Sequence, residues 1–285
     1  MTEYLKCELC ARRCGINRTE NVGFCKATDK IFVSRAALHL WEEPIISGER
    51  GSGTIFFSGC SLGCIYCQNR TISQKAMGKP TDGKALRKIM EDLISRGAEN
   101  IDLVTAAPYL PTVLEALEEP LSVPVVYNTG GYESAASIDA LAGKVDIYLP
   151  DLKYADAKLA KTLSCAPDYF TVATAAIQKM VQQTGPVQWQ ENKVKKGVII
   201  RHLILPGQVE NSLKVLDWIG ETFRKGEVLV SLMRQYTPMP GLSAPFDRPV
   251  TEEEYESVLS WMFLNDWDGF TQEETAADKR FIPDF

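Results

Sequence analysis

Several features are missing from this chain of 285 residues, and each absence removes a class of function. No apolar run approaches the roughly 20 residues a membrane-crossing helix needs, so no transmembrane segment is expected. Positive charge is not in excess. Lys and Arg number 31 against 37 Asp and Glu, a net charge of −6, which argues against a nucleic-acid surface as the main business. No G-x-G-x-x-G pattern follows the first candidate strand, which lowers a doubly wound dinucleotide-binding sheet. The stretch from Met1 to Leu5 is polar and no apolar segment follows it, so no export signal is expected. Internal repeats and low-complexity linkers are also missing. Hydrophobic residues at 45% and charged residues at 24% remain ordinary for a globular chain.

Cysteine is what the chain has. There are eight, and seven of them fall before residue 68. Without an export signal, so many thiols imply a reducing, cytoplasmic compartment and metal or redox chemistry. The densest group is Cys60-Ser-Leu-Gly-Cys64-Ile-Tyr-Cys67, directly after the apolar run Ile55-Phe56-Phe57. Three thiolates on one short loop can hold three irons of a cubane cluster and leave the fourth open to a small molecule. A disulfide with a spare thiol would suit a secreted protein. A zinc site would want a fourth ligand close by, and the nearest histidine is His39.

A second group, Cys7-x2-Cys10-x3-Cys14-x10-Cys25, has enough thiols for a closed tetrahedral zinc site or a fully ligated iron–sulfur cluster. The favoured expectation is a structural zinc that folds a segment too small to build its own core. Arg12, Arg13, Arg18 and Lys26 would offset the thiolate charge in either case. Cys165 stands alone and is expected to be a small buried or half-buried residue.

From Thr54 onward, apolar runs alternate with amphipathic segments. Strands are expected at 54–58, 101–105, 123–127, 145–149, 198–205 and 228–233. Helices are expected at 82–96, 111–117 and 134–141, then through about residue 183, at 213–223, and from a capping box at Thr251–Glu254 to Leu264. A small hairpin is expected around Glu191-Asn192. Six strands alternating with helices predict an α/β fold, a (β/α)6 partial TIM-type barrel with a small N-terminal Cys-rich segment. The expected division is residues 1–50 for that segment and 51–285 for the barrel with its C-terminal extension. Residues 236–285 would cover the barrel mouth.

The motifs Cys64-Ile-Tyr-Cys67-Gln-Asn69, Asn128-Thr-Gly-Gly-Tyr132, Asp151-Leu-Lys153 and Arg201-His-Leu-Ile-Leu-Pro-Gly207 carry a resemblance. The chain resembles the radical S-adenosylmethionine (SAM) superfamily, in particular proteins like the pyruvate formate-lyase activating enzyme. The stretch Trp41-Glu-Glu-Pro-Ile-Ile-Ser-Gly48 and the N-terminal cysteines add to the likeness. The resemblance implies a [4Fe-4S] cluster on Cys60, Cys64 and Cys67, with SAM chelating the open iron. Reductive cleavage of SAM would give a 5′-deoxyadenosyl radical that takes a hydrogen atom from the substrate. It further implies a glycyl radical enzyme as protein substrate and an electron donor such as flavodoxin or ferredoxin. A small-molecule or other peptide substrate is the close alternative, and a non-catalytic metal-binding protein the distant one.

The resemblance also distributes roles. Tyr66 would lie beside the adenine and Asn69 near SAM. Asn128 stands where the activating enzymes carry an Asp, so no monovalent cation is expected there. Asp151 and Lys153 would end the fourth strand, with Lys153 near the SAM carboxylate. Arg201, rather than His202, would face the barrel interior. Thr105-Ala-Ala-Pro108 replaces the superfamily's Gly-Gly-Glu stretch, and Gln235 is a weak candidate on the adenine side.

Overall fold

The computed structural model describes residues 2–40, 42–267 and 269–271. Its centre is a run of parallel strands in chain order. They are β2 (Ser52–Phe57), β4 (Ile101–Val104), β5 (Val125–Thr129), β6 (Ile147–Pro150), β8 (Lys193–Leu203) and β9 (Leu229–Met233). Each pairs in parallel with the next. A doubly wound sheet would reverse its order partway, and this one does not, as expected of a partial barrel. The helices between the strands are α3 (Gly83–Ser95), α4 (Leu110–Ala116), α5 (Ala135–Ala140), α6 (Ala157–Ser164), α7 (Tyr169–Thr184) and α8 (Val209–Thr222).

The local signals act as chemistry says they should. Asp82 caps α3 by accepting from the Ala85 amide at 2.7 Å. The capping box opens α9 (Glu252–Leu264), where the Thr251 side chain and Glu254 satisfy each other's amides. The hairpin joins β7 (Gln188–Gln190) to β8 through Glu191 and Asn192, both at positive φ.

Four smaller elements extend the picture. β1 (Ile31–His39) runs antiparallel to β2, β3 (Lys79–Thr81) pairs with β1, and β10 (Gly269–Thr271) adds a parallel strand beside β9. Residues 31–39, counted above with the Cys-rich segment, are thus a strand of the main sheet. His39 lies opposite Ser52, the first residue of β2, so the chain after β1 emerges at the N-terminal ends of the parallel strands. There the short helix α1 (Pro44–Ser47) closes the barrel floor. Ile46 packs with Val126, Ile147, Leu149, Ile199 and Leu229. Their neighbours Val125, Tyr148, Ile200 and Val230 belong instead to the large outer core, the period-two alternation of strands packed on both faces. The extension expected over the mouth reaches residues 272–285, which lie outside the described residues, as does Trp41. No helix among the described residues is long and apolar enough to cross a membrane.

Candidate functional site

The cluster loop leaves the C-terminal end of β2, as barrel active-site loops do. Gly59 makes its first turn at φ +87, and a Cβ there would lie 2.6 Å from the Cys25 carbonyl oxygen. Cys60, Cys64 and Cys67 then form one wall of a cavity whose other walls include Tyr66, Asn69, Asn128, Asp151, Lys153 and Arg201. All nine residues singled out on and around that loop therefore meet in a single cavity. Gln235, Tyr236 and Thr105 also line it.

Each polar residue arrives on its own element. Asn69 precedes the short helix α2 (Arg70–Ser73), and Asn128 lies near the end of β5. Asp151 and Lys153 follow β6 and form an ion pair inside the cavity rather than at the surface. Burial would lower the Lys153 pKa, but Asp151 and the neighbouring Cys64 outweigh it and hold it above its ordinary value. Burial would likewise raise Asp151, and Arg201 with Lys153 hold it below the usual carboxylate range. Arg201 points inward from β8. It donates to Asp151 at 2.8 Å, to Asn128 at 2.6 Å and to Glu42 at 3.1 Å. His202 points outward, fully buried between the Leu152 carbonyl at 2.6 Å and the Ser212 hydroxyl at 2.9 Å. Burial pushes its pKa down to about 4.

Thr105 takes φ +61, a left-handed conformation that a β-branched residue rarely adopts. Its amide donates to the Asn128 carbonyl at 2.9 Å. The backbone at the place of the Gly-Gly-Glu stretch thus takes a glycine-like shape without a glycine.

Reading the sequence missed two groups. One is the acidic floor: Glu42 and Glu43 reach up from the start of α1, and Asp102 points in from β4. Burial and the nearby Glu42 carboxyl push Asp102 well above the usual range, and burial raises Glu43, which accepts from Ser231 at 2.7 Å. A lone Asp inside Ile101-Asp-Leu-Val104 was the available signal, since a carboxylate inside a buried strand must have a partner. The second group is a run of buried hydroxyls. Tyr66 and Tyr154 hydroxyls lie 2.6 Å apart, Tyr154 and Ser164 hydroxyls 2.7 Å apart, and Ser164 Oγ lies 3.0 Å from Cys64 Sγ. No pattern in the sequence links these positions, which only the fold brings together.

The N-terminal thiols sit beside the cluster loop. The Cys60 amide donates to the Cys25 carbonyl at 3.2 Å, and Arg12 donates to the Ser61 carbonyl at 2.8 Å and the Ser164 carbonyl at 2.8 Å. Cys7, Cys10 and Cys25 are buried and Cys14 is exposed. Among the described residues, no three His, Cys, Asp or Glu side chains are drawn together tightly enough to grip a single ion. Cys165 corrects an expectation: it is exposed. It caps α6 in the left-handed conformation at φ +49, which turns its side chain outward, while its carbonyl accepts from Arg12.

The donor chemistry fits an iron–sulfur cluster with one open position: three thiols from one loop, facing a cavity lined by side-chain amides, a carboxylate and two cations. Comparison with known proteins agrees. Residues 46–119 match the family model of a 4Fe-4S single cluster domain. The uncharacterized protein MJ0674 of Methanocaldococcus jannaschii is 30% identical over 269 residues, covering 90% of this chain and 74% of that one. Among solved structures, a radical SAM methyltransferase from Sphaerobacter thermophilus superposes with a TM-score of 0.55 at 17% identity, over 78% of this chain and 66% of that one. SuiB of Streptococcus suis, solved with S-adenosylmethionine, gives 0.51 at 13% identity, over 78% and 50%. At these identities the structural likeness speaks for the fold. The chain spans between half and two thirds of the length of these two solved chains.

Proposed function

The chain belongs to one family with the Methanocaldococcus protein, and we propose that it is a radical SAM enzyme that activates a glycyl radical enzyme by abstracting a hydrogen atom from a glycine of that partner. The observation that carries the reading is the single cavity shared by Cys60, Cys64, Cys67 and the polar set from Asn69 to Arg201. When bound there, a [4Fe-4S] cluster and SAM together supply one-electron cleavage and hydrogen-atom abstraction.

The chain's own residues hold and orient. Cys60, Cys64 and Cys67 would hold the cluster. Lys153 offers its ammonium to the SAM carboxylate, sharing it with Asp151. Asn69 would lie near SAM, and the Asn128 amide could meet its ribose or its amino group. Tyr66, packed 5.9 Å from the Tyr236 ring, offers an aromatic surface to the adenine. Arg201 is held by three partners, so it shapes the floor beneath SAM rather than moving with it. A small electron donor of the flavodoxin or ferredoxin type supplies the reducing electron.

The test is anaerobic reconstitution with iron and sulfide, followed by SAM and a strong reductant. 5′-Deoxyadenosine should accumulate, and its absence from well-loaded protein would reject an enzyme in favour of a metal-binding protein. Adding a candidate glycyl radical enzyme should yield a glycyl radical signal in that partner. Deoxyadenosine formed without any such signal would move the substrate to a small molecule or another peptide.

A further inference from the structure

Arg18 is the most deeply buried charged side chain of the N-terminal segment, with 1% of its surface exposed. Guanidinium stays protonated in any protein environment, so this is a full positive charge out of water. Its donors are spent on carbonyls: Ala27 at 3.3 Å, and those of Pro108 and Thr28. The Tyr4 and Tyr109 rings flank it at 4.8 and 5.5 Å. Among the described residues no carboxylate pairs with it. Its one side-chain acceptor is Cys7 Sγ, at 3.9 Å. Carbonyls and rings solvate a cation but do not neutralise it, and an uncompensated buried charge is strongly disfavoured.

The thiols around it supply what is missing, provided they are thiolates. Cys7, Cys10 and Cys25 are buried and close enough for their charges to act on one another, and the Cys7 amide and carbonyl are tied to Ile16 and Gly15 at 2.9 Å each, bending the chain back on itself. Cys14 Sγ reaches the Cys7 carbonyl at 3.8 Å. Cys14 is also the exposed member of the set.

We propose that Cys7, Cys10, Cys14 and Cys25 hold an anionic tetrathiolate metal centre, zinc or an iron–sulfur unit, with Arg18 as its buried counter-ion. Four thiolates on Zn²⁺ leave a charge of −2, and a [4Fe-4S]²⁺ core leaves the same. Either offsets Arg18, and metal binding releases the thiol protons to solvent. The centre also braces the cluster loop, because Cys25 receives the Cys60 amide and Arg12, between Cys10 and Cys14, holds Ser61. This site stands independently of the reading of the main cavity.

The test uses the full chain with Cys60, Cys64 and Cys67 all replaced by Ala, so that only the N-terminal set remains. Loaded anaerobically with zinc alone, or with iron and sulfide, it should retain one centre per chain after desalting. Near-stoichiometric zinc with no iron identifies a zinc centre, and a cluster absorbance identifies an iron–sulfur one. Retention no greater than in a variant also carrying Cys7→Ala and Cys25→Ala overturns the site. Arg18→Lys should keep the centre, and Arg18→Met should weaken it by about tenfold in a chelator competition. Equal chelator resistance in both would remove Arg18 from the role. If Arg18→Met does not fold, Cys14→Ser, at an exposed position, must lower retention in a folded chain, and undiminished retention there would sink the four-ligand assignment.

Discussion

The two cysteine sets lie within a hydrogen bond of each other and are built in opposite ways. At the cluster loop the nearby cation, Lys153, lines a cavity and shares its charge with Asp151. In the N-terminal segment the cation, Arg18, is sealed among carbonyls, rings and a thiol. A centre that must exchange a small molecule needs room, and a counter-charge that can turn to the newcomer. A centre with all its ligands from the chain needs neither, so its cation can be walled in. Three cysteines that line a cavity and four with a cation buried beside them differ in construction, although both read simply as cysteine clusters.

The sharpest way to break that contrast is by cysteine replacement. Cys60→Ala, Cys64→Ala or Cys67→Ala should each abolish SAM cleavage and the cubane signal, since two thiols on one loop do not retain a cubane. Cys10→Ala should instead lower thermal stability and soluble yield while leaving some SAM cleavage in the surviving folded fraction. If both sets behave alike in a deoxyadenosine assay normalised to folded protein, the division of labour is wrong. A smaller effect is expected at the exchangeable cation. Lys153→Ala removes a charge-assisted hydrogen bond of roughly 1.5–3 kcal/mol, so SAM should bind about tenfold or more weakly with the cluster intact. Unchanged affinity by equilibrium binding would leave Lys153 as a partner of Asp151 only.

Acid should act behind the open site. His202 is held neutral, its pKa lowered to about 4 by burial. The unfolded chain takes up that proton near pH 6.5, so the stability of the neutral fold is fully present above 6.5. It falls as pH drops toward 4, by about 1.4 kcal/mol per pH unit at most. Urea midpoints across that window should show the slope, and His202→Asn should flatten it. A slope unchanged in the variant would assign the acid limb elsewhere. The least effect is expected at Thr105. Left-handed φ at a non-glycine costs roughly 1–3 kcal/mol, and glycine returns part of that as chain entropy. Thr105→Gly should therefore raise the denaturation midpoint slightly, and a lower midpoint would mean the threonine side chain makes contacts that repay its strain.

How much of this was legible in the sequence depended on range. The six parallel strands were readable because each is a short apolar run followed by turn residues, as in Val198-Ile-Ile closing on Pro206-Gly207. The cavity residues were readable because they lie near or after the C-terminal ends of strands, and a barrel gathers those ends at one mouth. β1 was not, because Ile31-Phe-Val-Ser-Arg-Ala-Ala-Leu-His39 alternates only loosely and pairs antiparallel at the edge. Glu42 and Glu43 stand inside the stretch from Trp41 to Gly48, but nothing local says that a segment before the barrel turns under it and reaches inside. Cys165 was misjudged because a lone cysteine suggests burial, whereas a helix cap in the left-handed region sets direction by backbone geometry.

The hydroxyl run from Tyr66 to Cys64 carries one more implication. A thiol could give or take a proton, so the three O–H groups could point either way. A sulfur bound to iron has no proton and can only accept. Once Cys64 is ligated, Ser164 must donate to it, Tyr154 to Ser164, and Tyr66 to Tyr154. Three bond dipoles then line up head to tail with their positive ends toward the sulfur, each polarising the next. Such alignment favours added negative charge on the metal side, which is the direction of reduction. A change as distant as Tyr66→Phe, three hydroxyls from the sulfur, would thus be felt as a shift in the ease with which the iron accepts an electron.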